Sequence, residues 1–168
     1  LTSSGSANAI ELNSDATTLN ISGDQNVTLN AASTIMDKTT VVDASAATGK
    51  VALTHDHATA ATAVTITGGS GNDTITLTGT NAADDVVSGG AGDDTITFTT
   101  ALTDKDKVDG GTGEDTIVGT TANLKALTTA NLITNVEAAT VSNAHTGVLK
   151  AANIGSEVDT ITLAAGSN

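Results

Sequence analysis

Residues 68–76 read GGSGNDTIT, residues 89–97 read GGAGDDTIT and residues 110–118 read GGTGEDTIV, with the starts 21 residues apart both times. Two degenerate copies lie between them, TNAADDVVS at 80–88 and ALTDKDKVD at 101–109. The sixth position of all five is an acid: Asp73, Asp85, Asp94, Asp106 and Asp115. The eighth is Ile75, Val87, Ile96, Val108 and Ile117. Both series step by 12 and 9 in alternation. A fixed stride of this length is the mark of a repeat architecture in which each unit buries its apolar side only against its neighbours.

The alternation predicts a coil of 21 residues with two turns and two short strands. Glycine-rich turns fall on one edge, degenerate turns on the other, and position eight of each strand points inward to build a ladder of Ile and Val. The fold expected is all-β, a right-handed parallel β-solenoid. At 21 residues per coil the 168 residues allow at most eight coils, roughly 40 Å long at the usual strand spacing.

Working outward, the rhythm continues without the glycines. TTLNIS (17–22), NVTLN (26–30), TTVVDA (39–44), KVALT (50–54) and AVTIT (63–67) are short alternating runs separated by turn signals. LITNVEAATVSN (132–143), GVLK (147–150) and DTITL (159–163) follow downstream. One patch, 121–132, is compatible with a turn of helix or an irregular coil. The organisation expected is a Thr/Ala-rich solenoid segment over 1–67, the repeats proper over 68–118, and a further strand-rich or capping segment over 119–168. With no leader at Leu1, the chain reads as part of something longer.

Composition narrows the function. The chain has no Cys, Pro, Trp or Tyr, and Phe98 is its only aromatic residue. Thin layers closed by small residues suit this better than one thick core. A net charge of −13 disfavours nucleic acid and anionic membrane as partners, and no run of apolar residues is long enough for a membrane helix. It favours a counter-cation.

The turns say which cation. Glycines at positions one, two and four permit positive φ and let carbonyl oxygens converge. Stacked coils bring the acids at position six together, and hard oxygens with carboxylate charge suit calcium. Zinc or copper would call for His or Cys, which these turns lack. Without metal, carboxylates about 5 Å apart repel by about 3 kcal/mol at an effective dielectric near 20. The segment is therefore expected to be loose until calcium enters.

GGSGNDTIT, GGAGDDTIT and GGTGEDTIV resemble the G-G-x-G-x-D-x-U-x repeats of the RTX (repeats-in-toxin) family. The resemblance covers residues 68–118 and implies a calcium-binding β-roll. It places one ion between turns 68–73 and 89–94, and a second between 89–94 and 110–115. The ligands it implies are the carboxylates of Asp73, Asp94 and Asp115, with main-chain carbonyls of Gly69, Gly71, Gly90, Gly92, Gly111 and Gly113. The other edge departs from the family pattern because its turns lack glycine, and the coil has 21 residues rather than the family's 18. A third ion there would use Asp85 and Asp106. The flanks ATTLNISGDQNVTLN (16–30), TTVVDASAATGKVALT (39–54) and LITNVEAATV (132–141) resemble segments of secreted S-layer and giant surface proteins of Gram-negative bacteria.

Other polar residues read more plainly. His55 and His57 could share one side of a strand as a transition-metal pair, against a solvated loop as the simpler reading. His145 stands alone. Asp93 and Glu114, at position five, are expected to face solvent, as are Asp84, Asp104 and Asp109. Glu137 is expected to cap a turn. No H-E-x-x-H, G-x-S-x-G or Cys nucleophile is present, so no catalysis is expected.

The leading expectation is a calcium-dependent structural module of a secreted, cell-surface array such as an S-layer. It would be exported by type I secretion and would self-associate into a lattice, with cell-surface polysaccharide as a further partner. The alternatives are a spacer module of a large RTX adhesin, or the C-terminal calcium-dependent folding domain of a secreted enzyme.

Overall fold

The computed structural model describes residues 2–3, 16–30, 38–57, 62–79, 83–99, 102–128, 132–143 and 148–164. The first strands are β1 (Thr2–Ser3), β2 (Thr18–Gly23), β3 (Val27–Asn30), β4 (Val41–Ala47) and β5 (Val51–His57). The repeats supply β6 (Thr65–Thr67), β7 (Thr74–Gly79), β8 (Val86–Ala91), β9 (Thr95–Phe98), β10 (Lys107–Thr112) and β11 (Thr116–Gly119). After them come α1 (Thr121–Ala126), β12 (Ile133–Thr134), β13 (Ala138–Val141), α2 (Ala151–Ile154) and β14 (Thr160–Leu163).

These strands form two sheets of seven, one ordered β1-β2-β4-β6-β8-β10-β12 and the other β14-β13-β11-β9-β7-β5-β3. Every recorded pairing, such as β8 with β10 and β9 with β11, is parallel. The chain passes through one sheet and then the other, giving a parallel β-solenoid of about six turns. Strands on both sides of 68–118 extend the same two sheets rather than folding back on them.

The inward positions are those the eighth-position rule names. Leu53, Ile75, Ile96, Ile117 and Ala139 stand in one register column. Val42, Ile66, Val87, Val108 and Ile133 stand in the facing one. All ten are buried, and burying an Ile or Leu side chain stabilises the fold by roughly 1.5–3 kcal/mol. Phe98 and Leu77, paired across β9 and β7, are fully enclosed. On the second sheet many outward positions are hydroxyls: Thr74, Thr95 and Thr116 form one column and Thr54, Thr76 and Thr97 another. β-Branched Thr suits a pleated, half-exposed surface without adding a large apolar side chain.

The stride is constant only within the repeats. Thr65 pairs with Val86 and Val86 with Lys107, steps of 21, but Val41 to Thr65 is 24 and Val108 to Ile133 is 25. The longest coil is the one that contains α1. This helix takes the first six residues of the patch read as a helical turn or coil. The Thr120 side chain accepts a hydrogen bond from the Asn123 N–H as its N-cap, and Leu124 enters the core.

His55 departs from the solvated-loop reading. It lies on β5 and is buried, with Nε2 3.0 Å from the Thr39 carbonyl oxygen. The strand alternation that turns Val51 and Leu53 inward turns residue 55 inward too. His57 closes the same strand, and His145 lies outside the described residues.

Candidate metal centre

The acids at position six do not line the outside of the turns. Asp73, Asp94 and Asp115 are each at most 2% exposed. Each reaches down one coil and accepts a main-chain N–H with Oδ1. Asp73 takes Val51 N–H at 2.8 Å, Asp94 takes Asp73 N–H at 2.7 Å and Asp115 takes Asp94 N–H at 2.7 Å. The column continues past the repeats, where Glu137 Oε2 accepts Asp115 N–H at 2.7 Å. A residue expected to cap a turn is therefore the next member of the acid series.

The second oxygens differ. Asp73 Oδ2 accepts Gly69 N–H at 2.6 Å. Oδ2 of Asp94 and of Asp115 is buried and has no hydrogen-bond partner. A buried carboxylate oxygen without a donor is costly unless protonated or matched by a cation.

Glycine makes room for these oxygens. A Cβ on Gly89 would stand 2.3 Å from Asp94 Oδ2 and 2.4 Å from the Gly110 carbonyl oxygen. A Cβ on Gly68 would stand 2.0 Å from the Gly89 oxygen and 2.8 Å from Asp73 Oδ2. At position one, then, the acid of one turn and the carbonyl of the next coil's turn share a space that any side chain would fill. Position two needs glycine for its backbone as well. Gly90 and Gly111 have φ of +113° and +110°, and a Cβ would meet the oxygens of Gly69 and Gly90 at 2.1 and 1.9 Å. The Gly69 oxygen also accepts Ala91 N–H at 3.0 Å. At position four Gly92 stacks on Gly71 and Gly113 on Gly92, with the Gly92 oxygen 2.3 Å from a Gly113 Cβ.

Electrostatics follow from this packing. Burial pushes the Asp94 carboxyl up to about 7, and the charges of Asp73, Asp115 and Asp93 add to the effect while the Asp73 N–H opposes it. Burial also raises Asp73 and Asp115. Gly69 and Val51 N–H groups and Lys50 pull Asp73 back, whereas the charges of Glu137, Asp93 and Asp109 push Asp115 further up.

The opposite edge is bonded differently. Asp85 Oδ1 accepts Val64 N–H at 2.9 Å, and Asp106 Oδ1 accepts Asp85 N–H at 2.8 Å. Asp106 Oδ2 accepts Thr103 N–H at 2.6 Å, so both of its oxygens are engaged by the main chain. Burial raises Asp106 nonetheless.

Position five carries a second ladder that the sequence reading left in solvent. These side chains are exposed, yet Asn72 Oδ1 accepts Asp93 N–H and Asp93 Oδ1 accepts Glu114 N–H, both at 3.1 Å. The ladder runs up the stack while the position-six ladder runs down it. Asp109 and Asp104 also bond side chains of later coils, Asn135 and Thr128, and Asp84 is exposed.

Residues 63–79, 80–98 and 100–123 match the family model of the RTX calcium-binding nonapeptide repeat, four copies. This stretch is similar to RTX repeats. The match takes in the degenerate copies on the second edge as well as the three glycine turns. Comparison of the chain with curated proteins and with solved structures returns no match.

Calcium fits the RTX edge on its own chemistry. The donors are all oxygen, two buried carboxylate oxygens lack partners, and the carbonyls of Gly110 and Asn135 share the cradles of Asp94 Oδ2 and Asp115 Oδ2 respectively. Among the described residues no three His, Cys, Asp or Glu side chains converge on one point. Other oxygens, among them the main-chain carbonyls in the same cradles, would complete a coordination shell.

Proposed function

We propose that the chain is a calcium-dependent structural module of a secreted bacterial surface layer, ordered by calcium outside the cell and then assembling with its own kind. The carrying observation is the pair of buried, partnerless oxygens, Asp94 Oδ2 and Asp115 Oδ2, within a column of like charge. Cations bound along this edge would satisfy such oxygens and offset the repulsion, so metal binding becomes folding energy. Asp73, Asp94 and Asp115 supply the carboxylates. The carbonyls of the stacked glycine turns, Gly69, Gly71, Gly90, Gly92, Gly111 and Gly113 among them, supply the rest.

Several features favour a structural over a catalytic role. The buried acids are committed to main-chain N–H groups of neighbouring coils. RTX repeats occur in secreted proteins, and no helix among the described residues is long and apolar enough to cross a membrane. The Thr columns give one sheet a regular hydroxyl-bearing outer face that would suit packing in an array. The Thr/Ala-rich flanks and the lack of Cys agree with the surface-layer resemblance.

Negative-stain electron microscopy of the chain with and without millimolar calcium tests this reading. Ordered sheets or fibres that form with calcium, dissolve in chelator and are not produced by magnesium are expected. A monomer at every calcium concentration would overturn the array assignment and leave the adhesin-spacer or folding-domain reading.

A further inference from the structure

The acid column does not end where the RTX repeats end. We infer that a further site for a hard divalent cation of calcium's class lies between the last glycine turn, 110–115, and the short turn 135–137. This rests on the reading that the glycine edge binds calcium, but its own residues Asn135 and Glu137 lie outside the family match.

The geometry repeats that of the preceding coil. Glu137 occupies the place of the next acid, since Glu137 N–H donates to the Asp115 carbonyl at 3.1 Å and its Oε2 accepts Asp115 N–H. Asn135 occupies the place of the next position-one glycine. A Cβ on Gly110 would stand 1.8 Å from the Asn135 carbonyl oxygen and 2.7 Å from Asp115 Oδ2. At Gly89 the corresponding pair is the Gly110 oxygen and Asp94 Oδ2. The same two kinds of oxygen therefore share the same space one coil further on.

The independent pointer to a ligand is Asp115 itself. It is 1% exposed, and its Oδ2 has no hydrogen-bond partner. Asn135 is held so that its carbonyl oxygen shares the Gly110 cradle with this oxygen. Its φ of 51° is the one positive value recorded for a residue other than glycine among the described residues. Its N–H donates to Glu157 Oε2 at 2.5 Å, and its Nδ2 donates to Asp109 Oδ1 at 2.7 Å. With Asp115 and Glu137, these acids make the end of the stack strongly negative.

The column stops one coil later. Asp159 N–H donates to the Glu137 carbonyl, but the Asp159 side chain is exposed and accepts the Thr160 hydroxyl at 2.9 Å. The new site is the last of the series. A cation there ties the downstream strands to the repeats, so calcium orders residues 132–143 as well as 68–118.

Native mass spectrometry of the whole chain in calcium, with hydrogen exchange read by segment, tests the inference. E137Q keeps an oxygen for the Asp115 N–H and removes only the charge. The expected result is one calcium fewer than wild type, or one site weakened at least tenfold. Calcium-dependent protection should be lost over 132–143 and kept over 68–118. Unchanged stoichiometry and unchanged protection over 132–143 in E137Q would overturn this site and leave the repeat sites standing. A wild-type chain that binds no calcium would overturn both. Should E137Q fail to fold, terbium bound to crystals of the wild-type chain gives the same answer. An anomalous peak touching Asp115 Oδ2 and the Asn135 oxygen supports the site, and peaks confined to the glycine turns overturn it.

Discussion

Asp94 carries the conflict on which the account depends. Its Oδ1 holds the coil below through the Asp73 N–H, while its Oδ2 lies buried without a donor. Asn at this position would keep the acceptor and remove the charge. D94N should therefore raise or leave unchanged the melting temperature in chelator, while weakening calcium binding at least about tenfold, since charged ligands set affinity at such sites. Thermal melts and calorimetric titration check the two halves. The pH dependence has a definite sign. The folded-state carboxyl is raised to about 7 from an ordinary value of 3.8, so the folded form holds a proton that the unfolded chain has released. The contribution of this group to metal-free stability is fully present below about pH 4 and is lost as pH rises through about 7. Raised Asp73, Asp106 and Asp115 act in the same direction. Melts in chelator should fall between pH 5 and pH 8, and calcium affinity should rise over the same interval because the metal displaces the proton. A melting temperature that climbs with pH in chelator would contradict the assignment.

At the scale of strands and turns, local spacing explains what the sequence revealed and what it hid. The 21-residue stride and the inward eighth positions were legible because glycines at fixed offsets and alternating Ile or Val are local signals. Glu137 was read only as a turn cap. The turn 135–137 is three residues shorter than 110–115, and α1 lengthens the coil before it, so the register is lost in the sequence. The ladder of Asn72, Asp93 and Glu114 was missed because side chains bonding the main chain of the next coil leave no trace in neighbouring residues. The burial of His55 is hidden because KVALT (50–54) reads as a complete strand and HDH as a loop, whereas β5 runs on to His57 and its alternation carries residue 55 inward. Two substitutions test the element-level account. G111A places a methyl group 1.9 Å from the Gly90 oxygen at φ of +110°. The left-handed conformation alone costs about 1–2 kcal/mol for a non-glycine residue, and the backbone clash adds to it. Calcium-induced folding of 89–118, followed by hydrogen exchange, should be lost or need much more calcium. I96A opens the ladder between Ile75 and Ile117 and should cost about 2–5 kcal/mol in calcium-saturated denaturant melts.

For the molecule as a whole, two parallel sheets close on a narrow Ile and Val core, and one glycine edge gathers buried negative charge. The apolar ladders extend through both flanks, but the calcium chemistry is concentrated where the coil keeps its 21-residue stride. A core one or two aliphatic side chains thick limits what each layer contributes, and the net charge of −13 opposes compaction. Calcium bound along the glycine edge would offset that charge there. Sedimentation velocity of the chain, first in excess chelator and then in millimolar calcium, tests this most directly. The account predicts an expanded, slowly sedimenting monomer in chelator and a compact or assembled species in calcium. The same sedimentation profile in both would contradict it, and the glycine repeats would then be only the turns of a solenoid that stands without metal.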